Sequence, residues 1–285
     1  MRLKNYLKRL FNYLVHGIPT KVVNAQIVSL SPSQLLEGKT AIITGGTSGI
    51  GKAIAIAFVK SGSKVIITGR SKDRIDKAVE EIKKSANGNS VTGIIVDNSN
   101  VDSINSAIDT LIKSNNTIDI LVNNAGINGG SLSSCSEDEY QKVMDTNLKG
   151  TVFITRRISQ LMINNKISGN ILNICSSSSI RPATTAYTLS KWGMRGYTVG
   201  LAKQLIKHSI VVNGLAPGPT ATPMLIKDGA NNYSLPNNPS QRYATPEEIA
   251  NMAVIMTSGI GRMIVGDIIY MTGGAGVITV DDINY

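Results

Sequence analysis

From Lys39 onward the sequence alternates short apolar runs with longer amphipathic stretches, and this rhythm leaves few folds open. The runs at Thr40–Thr44, Lys64–Thr68, Val91–Val96, Ile118–Asn123, Asn170–Cys175, Ile210–Ala216 and Ile268–Thr272 have the length and the Ile/Val content of strands buried on both faces. Between them, helical periodicity covers Gly49–Ser61, Ser71–Ser85, Val101–Asn115, Glu137–Asn164, Ala186–Lys207 and Pro246–Met256. Strands that alternate strictly with helices pair in parallel through right-handed crossovers. The expected class is therefore α/β, a single doubly wound parallel sheet with helices on both faces. An apolar share of 42% over 285 residues suffices for one large core, and no internal repeat divides the chain.

Residues 1–38 stand apart as an extension and connector, with 39–285 as one domain. Leu3, Leu7, Leu10 and Leu14 fall at helical spacing among Lys4, Lys8 and Arg9, and Gly17 and Pro19 end the pattern. Residues 1–40 hold six basic side chains against Glu37 alone, half of the formal net charge of +10. Three readings stay open for residues 1–18: peripheral contact with an anionic membrane, packing on this domain or a partner subunit, or a loosely ordered tail. No apolar run reaches the roughly 18–20 residues of a spanning helix, and charges interrupt any secretory signal. The rest of the basic excess is spread thinly without interleaved aromatics, so nucleic-acid binding is not expected. Cys135 and Cys175, the two cysteines, exclude a disulfide framework and leave a cytoplasmic location as the natural expectation. Cys175 reads as a small buried hydrophobe.

The first strand runs directly into Thr44-Gly45-Gly46-Thr47-Ser48-Gly49-Ile50-Gly51 and then a helix. Glycines let such a turn approach a diphosphate closely, while N–H groups at the helix start and the helix dipole favour the anion. Strand two ends Ile67-Thr68-Gly69-Arg70-Ser71. Where an acidic residue would hold a ribose 2′-hydroxyl stands Gly69, followed by Arg70, with Ser71, Lys72 and Arg74 close by. A positive pocket favours the 2′-phosphate of NADP(H), with NAD(H) as the other possibility; Arg70 and Lys72 as solvated charges is the plain alternative.

Tyr187 and Lys191 lie one helical turn apart on one helix face. A free phenol ionises only near about pH 10, and an ammonium group beside it favours the phenolate, which suits the pair to acid/base work. Upstream, a strand ends at Ser176, where an open α/β sheet binds its ligands. A hydroxyl there can polarise a carbonyl. Ser177 and Ser178 remain substitutes for it, and Ser179 extends the same serine run. Asn123-Asn124-Ala125-Gly126 ends another strand, with small residues that admit a cofactor and amides that can tie loops together. Asn147 interrupts an otherwise helical pattern, either to hold a water or as a plain surface residue.

Together these residues resemble the short-chain dehydrogenase/reductases, over Lys39 to Gly276. The match rests on the Thr44–Gly51 loop, Asp97 after strand three, Asn123–Gly126, Asn147, Ser176, Tyr187 with Lys191, and Pro217-Gly218 followed by Thr222. The resemblance implies a Rossmann-type fold and hydride transfer between a nicotinamide and a carbonyl or secondary alcohol, without a metal. Tyr187 would exchange the proton, Ser176 would orient the carbonyl oxygen, Lys191 would lower the tyrosine pKa and hold the nicotinamide ribose, and Asn147 would support a water chain. Asp97 and Asn98 would line the adenine pocket. Gly45, Thr47, Ser48, Gly49, Ile50 and Gly51 would cradle the phosphates beside Asn124, Ala125 and Gly126. Pro217, Gly218, Thr220 and Thr222 would hold the carboxamide end. Two departures stand out. Ser48 occupies a position that is often basic in NADP-using relatives, which leaves the task to Arg70. The stretch from Ser176 to Tyr187 is also a residue or two short.

Residues 225–243 fall where such enzymes place a substrate lid, and their Asn, Gln and Arg content suits a polar, sugar- or polyol-like substrate, or merely solvent. Relatives are commonly homodimers or homotetramers. The alternative to an active enzyme is a catalytically idle scaffold of the same fold; the presence of Ser176, Tyr187 and Lys191 argues against it.

Overall fold

A computed structural model describes residues 11, 34–114, 117–222 and 233–277. Seven strands form one sheet, paired in parallel throughout: β1 (Thr40–Ile43), β2 (Lys64–Gly69), β3 (Val91–Ile95), β4 (Ile120–Asn123), β5 (Asn170–Ile174), β6 (Val211–Pro217) and β7 (Ile268–Met271). Their order is β3-β2-β1-β4-β5-β6-β7, so the chain reverses direction across the sheet between β1 and β4. That reversal opens a crevice beyond the strand C-termini, the place where open α/β sheets bind ligands.

The connecting helices are α1 (Gly49–Lys60), α2 (Lys72–Ala86), α3 (Val101–Lys113), α4 (Glu137–Met144), α5 (Gly150–Asn164), α6 (Ala186–Leu205) and α7 (Pro246–Thr257). Side chains alternate across each strand, which gives two cores. Ile43, Ile67, Val122, Leu172 and Leu215 pack under α1, α2 and α7, whereas Ile42, Leu121, Ile171 and Val212 pack under α3, α5 and α6. Each fully buried aliphatic side chain contributes roughly 1.5–3 kcal/mol, enough to fix the register that aligns the strand ends.

The expected elements are present, with ends shifted by two residues or fewer, except in one place. The expected helix over Glu137–Asn164 is interrupted by a π-turn at Asp145–Lys149. At the end of the connector, Leu36 is buried in the first core, and its N–H donates to the Ser61 carbonyl at 2.9 Å. The leucine-striped segment 1–18, Phe11 aside, and the first half of the expected lid lie outside the described residues.

Candidate active site

β1 ends into a turn whose glycines are required by geometry. Gly45 and Gly49 have φ of +64° and +53°, where L side chains are strained. A Cβ on Gly45 would lie 3.0 Å from the Ala125 Cα, and one on Gly51 would collide with the Asn124 amide and the Gly45 carbonyl. Asn124 Nδ2 donates to the carbonyls of Thr44 and Gly45, at 2.9 and 3.1 Å, and Thr44 Oγ1 accepts from the N–H groups of Asn124 and Ala125. The amide nitrogen of Asn124 is thus taken up in shaping the turn.

The helix that follows differs at its start from α2, α3, α4 and α7. Ser48 caps α1 without a side-chain hydrogen bond, and no acidic residue sits in its first turn. By contrast, Ser71, Asn100, Ser136 and Thr245 each cap their helices, with Asp or Glu following. The N–H groups and positive dipole end of α1 therefore face the crevice without an anion of their own, which fits a phosphate. Across the turn, Thr222 Cγ2 would be 3.4 Å from a Cβ on Gly49, so the segment after β6 closes over the same place. Gly218 N–H donates to the Met271 carbonyl, and Thr220 Oγ1 to the Gly218 carbonyl, which holds Pro217–Thr222 in position.

At the ends of β2 and β3, exposed Arg70 stands near Asp97. Partial burial opposes ionisation of the Asp97 carboxyl. The N–H and hydroxyl of Ser99, with Arg70 beyond them, outweigh it and hold the carboxyl below its ordinary range. Ser71 caps α2 and Lys72 pairs with Asp76 at 2.6 Å, which leaves Arg70 and Arg74 as exposed cations without an ion pair here among the described residues. Asn98 turns its amide to the Thr146 carbonyl at 2.6 Å, while its buried Oδ1 has no partner. Its amide N–H is thus used inside the fold.

β5 ends at Ile174, and Ser176 caps the 3₁₀ turn Ser177–Ile180 by accepting from the Ser178 N–H at 3.1 Å. Its own proton has no acceptor among the described residues. Ser179 donates to the Ser176 carbonyl at 2.7 Å and is occupied. α6 begins at the Thr185 cap, and its first two turns carry Tyr187 and Lys191. Lys191 is 5% exposed; its Nζ donates to the Ile174 carbonyl at 2.8 Å and lies 5.6 Å from the centre of the Tyr187 ring. The phenol, the ammonium and Ser176 are thus gathered at one strand end.

Asn147 is not the surface residue of one reading, and it does interrupt the helix as the other expected. It is fully buried in the π-turn, and its amide is saturated: Nδ2 donates to the Ile127 carbonyl at 2.9 Å and to Ser190 Oγ at 3.1 Å, while Oδ1 accepts from the Ile127 N–H at 2.8 Å. The side chain fastens the loop after β4 to α6. Ser190, which also donates to the Tyr187 carbonyl at 2.7 Å, completes that link and was missed from sequence. Gly150 was missed as well, where any Cβ would collide with the Asn98 carbonyl. A glycine inside a helical pattern was the available signal.

Below the site, Asn123 Nδ2 donates to Thr155 Oγ1 and Asn173 Oδ1, and Asn173 Nδ2 to Thr198 Oγ1, all within 2.9 Å. Cys175 is buried beside them, and burial pushes its thiol up to about 11, as an inert core residue requires.

Of the expected lid, residues 233–243 are anchored. Arg242 forms a two-pronged pair with Glu248, at 2.8 and 2.6 Å, and Asn238 donates to the Thr272 carbonyl at 3.0 Å. These side chains, expected to face substrate or solvent, fasten the return of the loop to the domain.

A parallel sheet with a phosphate-fitting helix start at its crevice and a Tyr–Lys pair beside a serine defines a dinucleotide-dependent oxidoreductase of α/β class. The short chain dehydrogenase profile matches residues 39–232, and the chain belongs to that family. It is 34% identical over 244 residues to the 3-oxoacyl-[acyl-carrier-protein] reductase FabG of Thermotoga maritima, covering 84% of this chain and 98% of that protein. To glucose 1-dehydrogenase 2 of Bacillus subtilis it is 34% identical over 247 residues, covering 84% and 95%. Among solved structures, L-sorbose reductase from Gluconobacter frateurii, complexed with NADPH and L-sorbose, aligns with a TM-score of 0.75 at 26% identity, over 86% of this chain and 98% of that one.

Proposed function

We propose that the chain reduces a carbonyl, or oxidises the matching secondary alcohol, with NADP(H) preferred over NAD(H). The observation that carries this reading is the placement of Tyr187 and Lys191 on α6, with Lys191 reaching the end of β5 two residues before Ser176. The nicotinamide, when bound, supplies or takes up the hydride. Ser176 donates its free proton to the substrate oxygen and orients it; Tyr187 gives that oxygen its proton in reduction and removes it in oxidation. Lys191 holds the helix that carries Tyr187 against the end of β5. Asn147 and Ser190 act by holding the loop after β4 against α6. Gly45, Thr47, Gly49, Ile50 and Gly51 form the phosphate cradle, closed by Thr222, and Arg70 meets the 2′-phosphate.

For the substrate we favour a small polar, polyhydroxylated carbonyl. Just before Tyr187, the loop after β4 joins the start of α6 through a Ser131–Thr185 bridge and a Leu132 N–H bond to the Thr184 carbonyl, and exposed Ser131, Ser133 and Ser134 there outnumber the one exposed apolar side chain, Leu132. A glucose dehydrogenase and a sorbose reductase among the relatives support this reading. The recurrence of 3-oxoacyl-[acyl-carrier-protein] reductases favours an acyl thioester as the second one. Self-association as a homo-oligomer and peripheral membrane contact through residues 1–18 complete the reading. A panel of sugar, polyol, steroid and acyl-thioester carbonyls with NADPH and with NADH, run beside Tyr187→Phe, tests it; turnover that survives that substitution refutes the assignment.

A further inference from the structure

In a sheet that is parallel throughout, the connecting helices begin at the strand C-termini and end at the opposite edge. The active-site end therefore collects helix N-termini, and the base collects helix C-termini. The charges follow the helix dipoles. Asp73, Asp102, Glu137 and Glu247 lie in first turns, whereas Lys60, Lys84 and Lys113 lie in last turns. Each placement suits its own helix, and together they make the base predominantly basic, although Glu37 beside Gly62 and Asp267 next to Gly266 are exposed carboxylates. Lys60, Lys64, Lys84, Lys113, Lys166 and Lys207 are exposed there with no ion pair among the described residues. Lys39 and Lys83 are neutralised by Asp119 and Glu80.

The same end carries apolar side chains that the fold leaves in water. Met263 is 93% exposed and Ile260 67%, with Val265 and Ile206 also exposed. Arg262 fixes their turn to the two neighbouring ones by donating to the carbonyls of Ser168 and Ser209, at 3.3 and 2.7 Å. Lys166 and Lys207, in those neighbouring turns, thereby frame the apolar side chains. Among the described residues, the base turns contain no Phe, Tyr or Trp on which a nucleic-acid base could stack. Apolar tips inside a ring of lysines match the boundary of an anionic bilayer, with the tips at the acyl edge and the ammonium groups among the headgroups. Residues 34–38 also lie at this end, with the Leu36 N–H donating to the Ser61 carbonyl.

We propose that the base of the domain docks peripherally on an anionic lipid surface through Ile260 and Met263 framed by Lys166 and Lys207, with the active site facing away. No described helix is long and apolar enough to cross a membrane, so this contact lies on the surface. It extends to the folded domain the contact proposed above for residues 1–18, and the test separates the two.

The full chain is floated with phosphatidylcholine vesicles, with and without phosphatidylglycerol. It is compared with Lys166→Gln/Lys207→Gln, with Ile260→Ser/Met263→Ser, and with a variant carrying Lys4→Gln, Lys8→Gln and Arg9→Gln. Each base lysine is expected to contribute about fivefold. The lysine pair should therefore lose more than about tenfold of binding to anionic vesicles, in the N-terminally neutralised background as well. The serine pair should lose a comparable amount, and salt at roughly 0.5 M should weaken the wild type. Sedimentation velocity and reductase turnover in solution confirm that each variant is folded. Base variants that bind like the wild type, or equal binding to uncharged vesicles, overturn the proposal. So does a variant that dissociates an oligomer while vesicle binding stays unchanged, because a second copy then covers the patch. Loss of binding to an RNA homopolymer with vesicle binding intact overturns it too.

Discussion

Lys191 donates from the first turns of α6 to the carbonyl of Ile174, 2.8 Å away, and so couples the helix that carries Tyr187 to the strand that ends at Ser176. The ammonium group is buried and satisfies an acceptor that would otherwise end β5 without it. Lys191→Met should therefore act in two ways. Turnover should fall by roughly 10²–10⁴-fold, the scale of lost acid/base assistance. Unfolding free energy should drop by about 1–3 kcal/mol for the orphaned carbonyl, read as a lower denaturation midpoint. Tyr187→Phe should match the loss of turnover and leave the midpoint near that of the wild type. Equal midpoints for both variants would contradict the tether.

The saturated amide of Asn147 makes a sharper demand. Asn147→Asp keeps the volume and the acceptor for the Ile127 N–H but loses both donors, to the Ile127 carbonyl and to Ser190. A carboxylate facing a carbonyl and a hydroxyl inside the fold should cost more than the about 1–3 kcal/mol of a simple unmade bond. Ser190→Ala removes one partner only and should cost less. Denaturant titration of the two variants orders them; a Ser190→Ala cost equal to that of Asn147→Asp would place the main role on the serine.

Periodicity sufficed for the sheet, because strands buried on both faces carry near-continuous Ile and Val runs and their ends are marked by glycine or a cap. The glycine turn and the Tyr187–Lys191 pair were legible for the same local reason: their meaning depends on neighbours one turn or one strand away. The partners of buried polar groups were not legible. Asn147 and Ser190 are 43 residues apart, and Asn98 meets the π-turn from 48 residues upstream. Nothing in the local pattern tells a surface Asn from one consumed by the fold. Arg242 read as a solvated loop residue because its partner Glu248 stands beyond a helix cap.

Cofactor choice turns on Arg70. It is exposed at the end of β2, its cationic neighbour Lys72 is paired, and Gly69 stands where a carboxylate would select against a phosphate. Loss of a charge-assisted bond to phosphate costs about 1.5–3 kcal/mol, which corresponds to roughly 10–150-fold. Arg70→Gln should raise the Michaelis constant for NADPH by that factor and leave the constant for NADH within about twofold. A parallel change in both would show that Arg70 supports the fold rather than the 2′-phosphate.

The pair Arg242–Glu248 makes stability depend on pH in a definite direction. Its hydrogen bonds from Arg242 are the largest influence on the Glu248 carboxyl, and with the Thr245 N–H they outweigh burial and hold it below the ordinary range. A carboxyl depressed in the folded state stabilises the fold above its unfolded pKa, about 4.3. That contribution is lost as pH falls from there through the lower folded value. Glu248 also closes the α7 capping box with Thr245, so the same proton loosens the helix start and the anchored half of the lid together. Glu248→Gln should lower stability at neutral pH by about 1–2 kcal/mol, the scale of a cap and a partly exposed charged bond. It should also flatten the acid limb of the stability curve, so that wild type and variant converge as pH falls through the lowered folded value. Thermal melts from neutral to acid pH measure both. A difference that stays constant down to the acid limit would mean that Glu248 titrates normally and that the anchor rests on Asn238 instead.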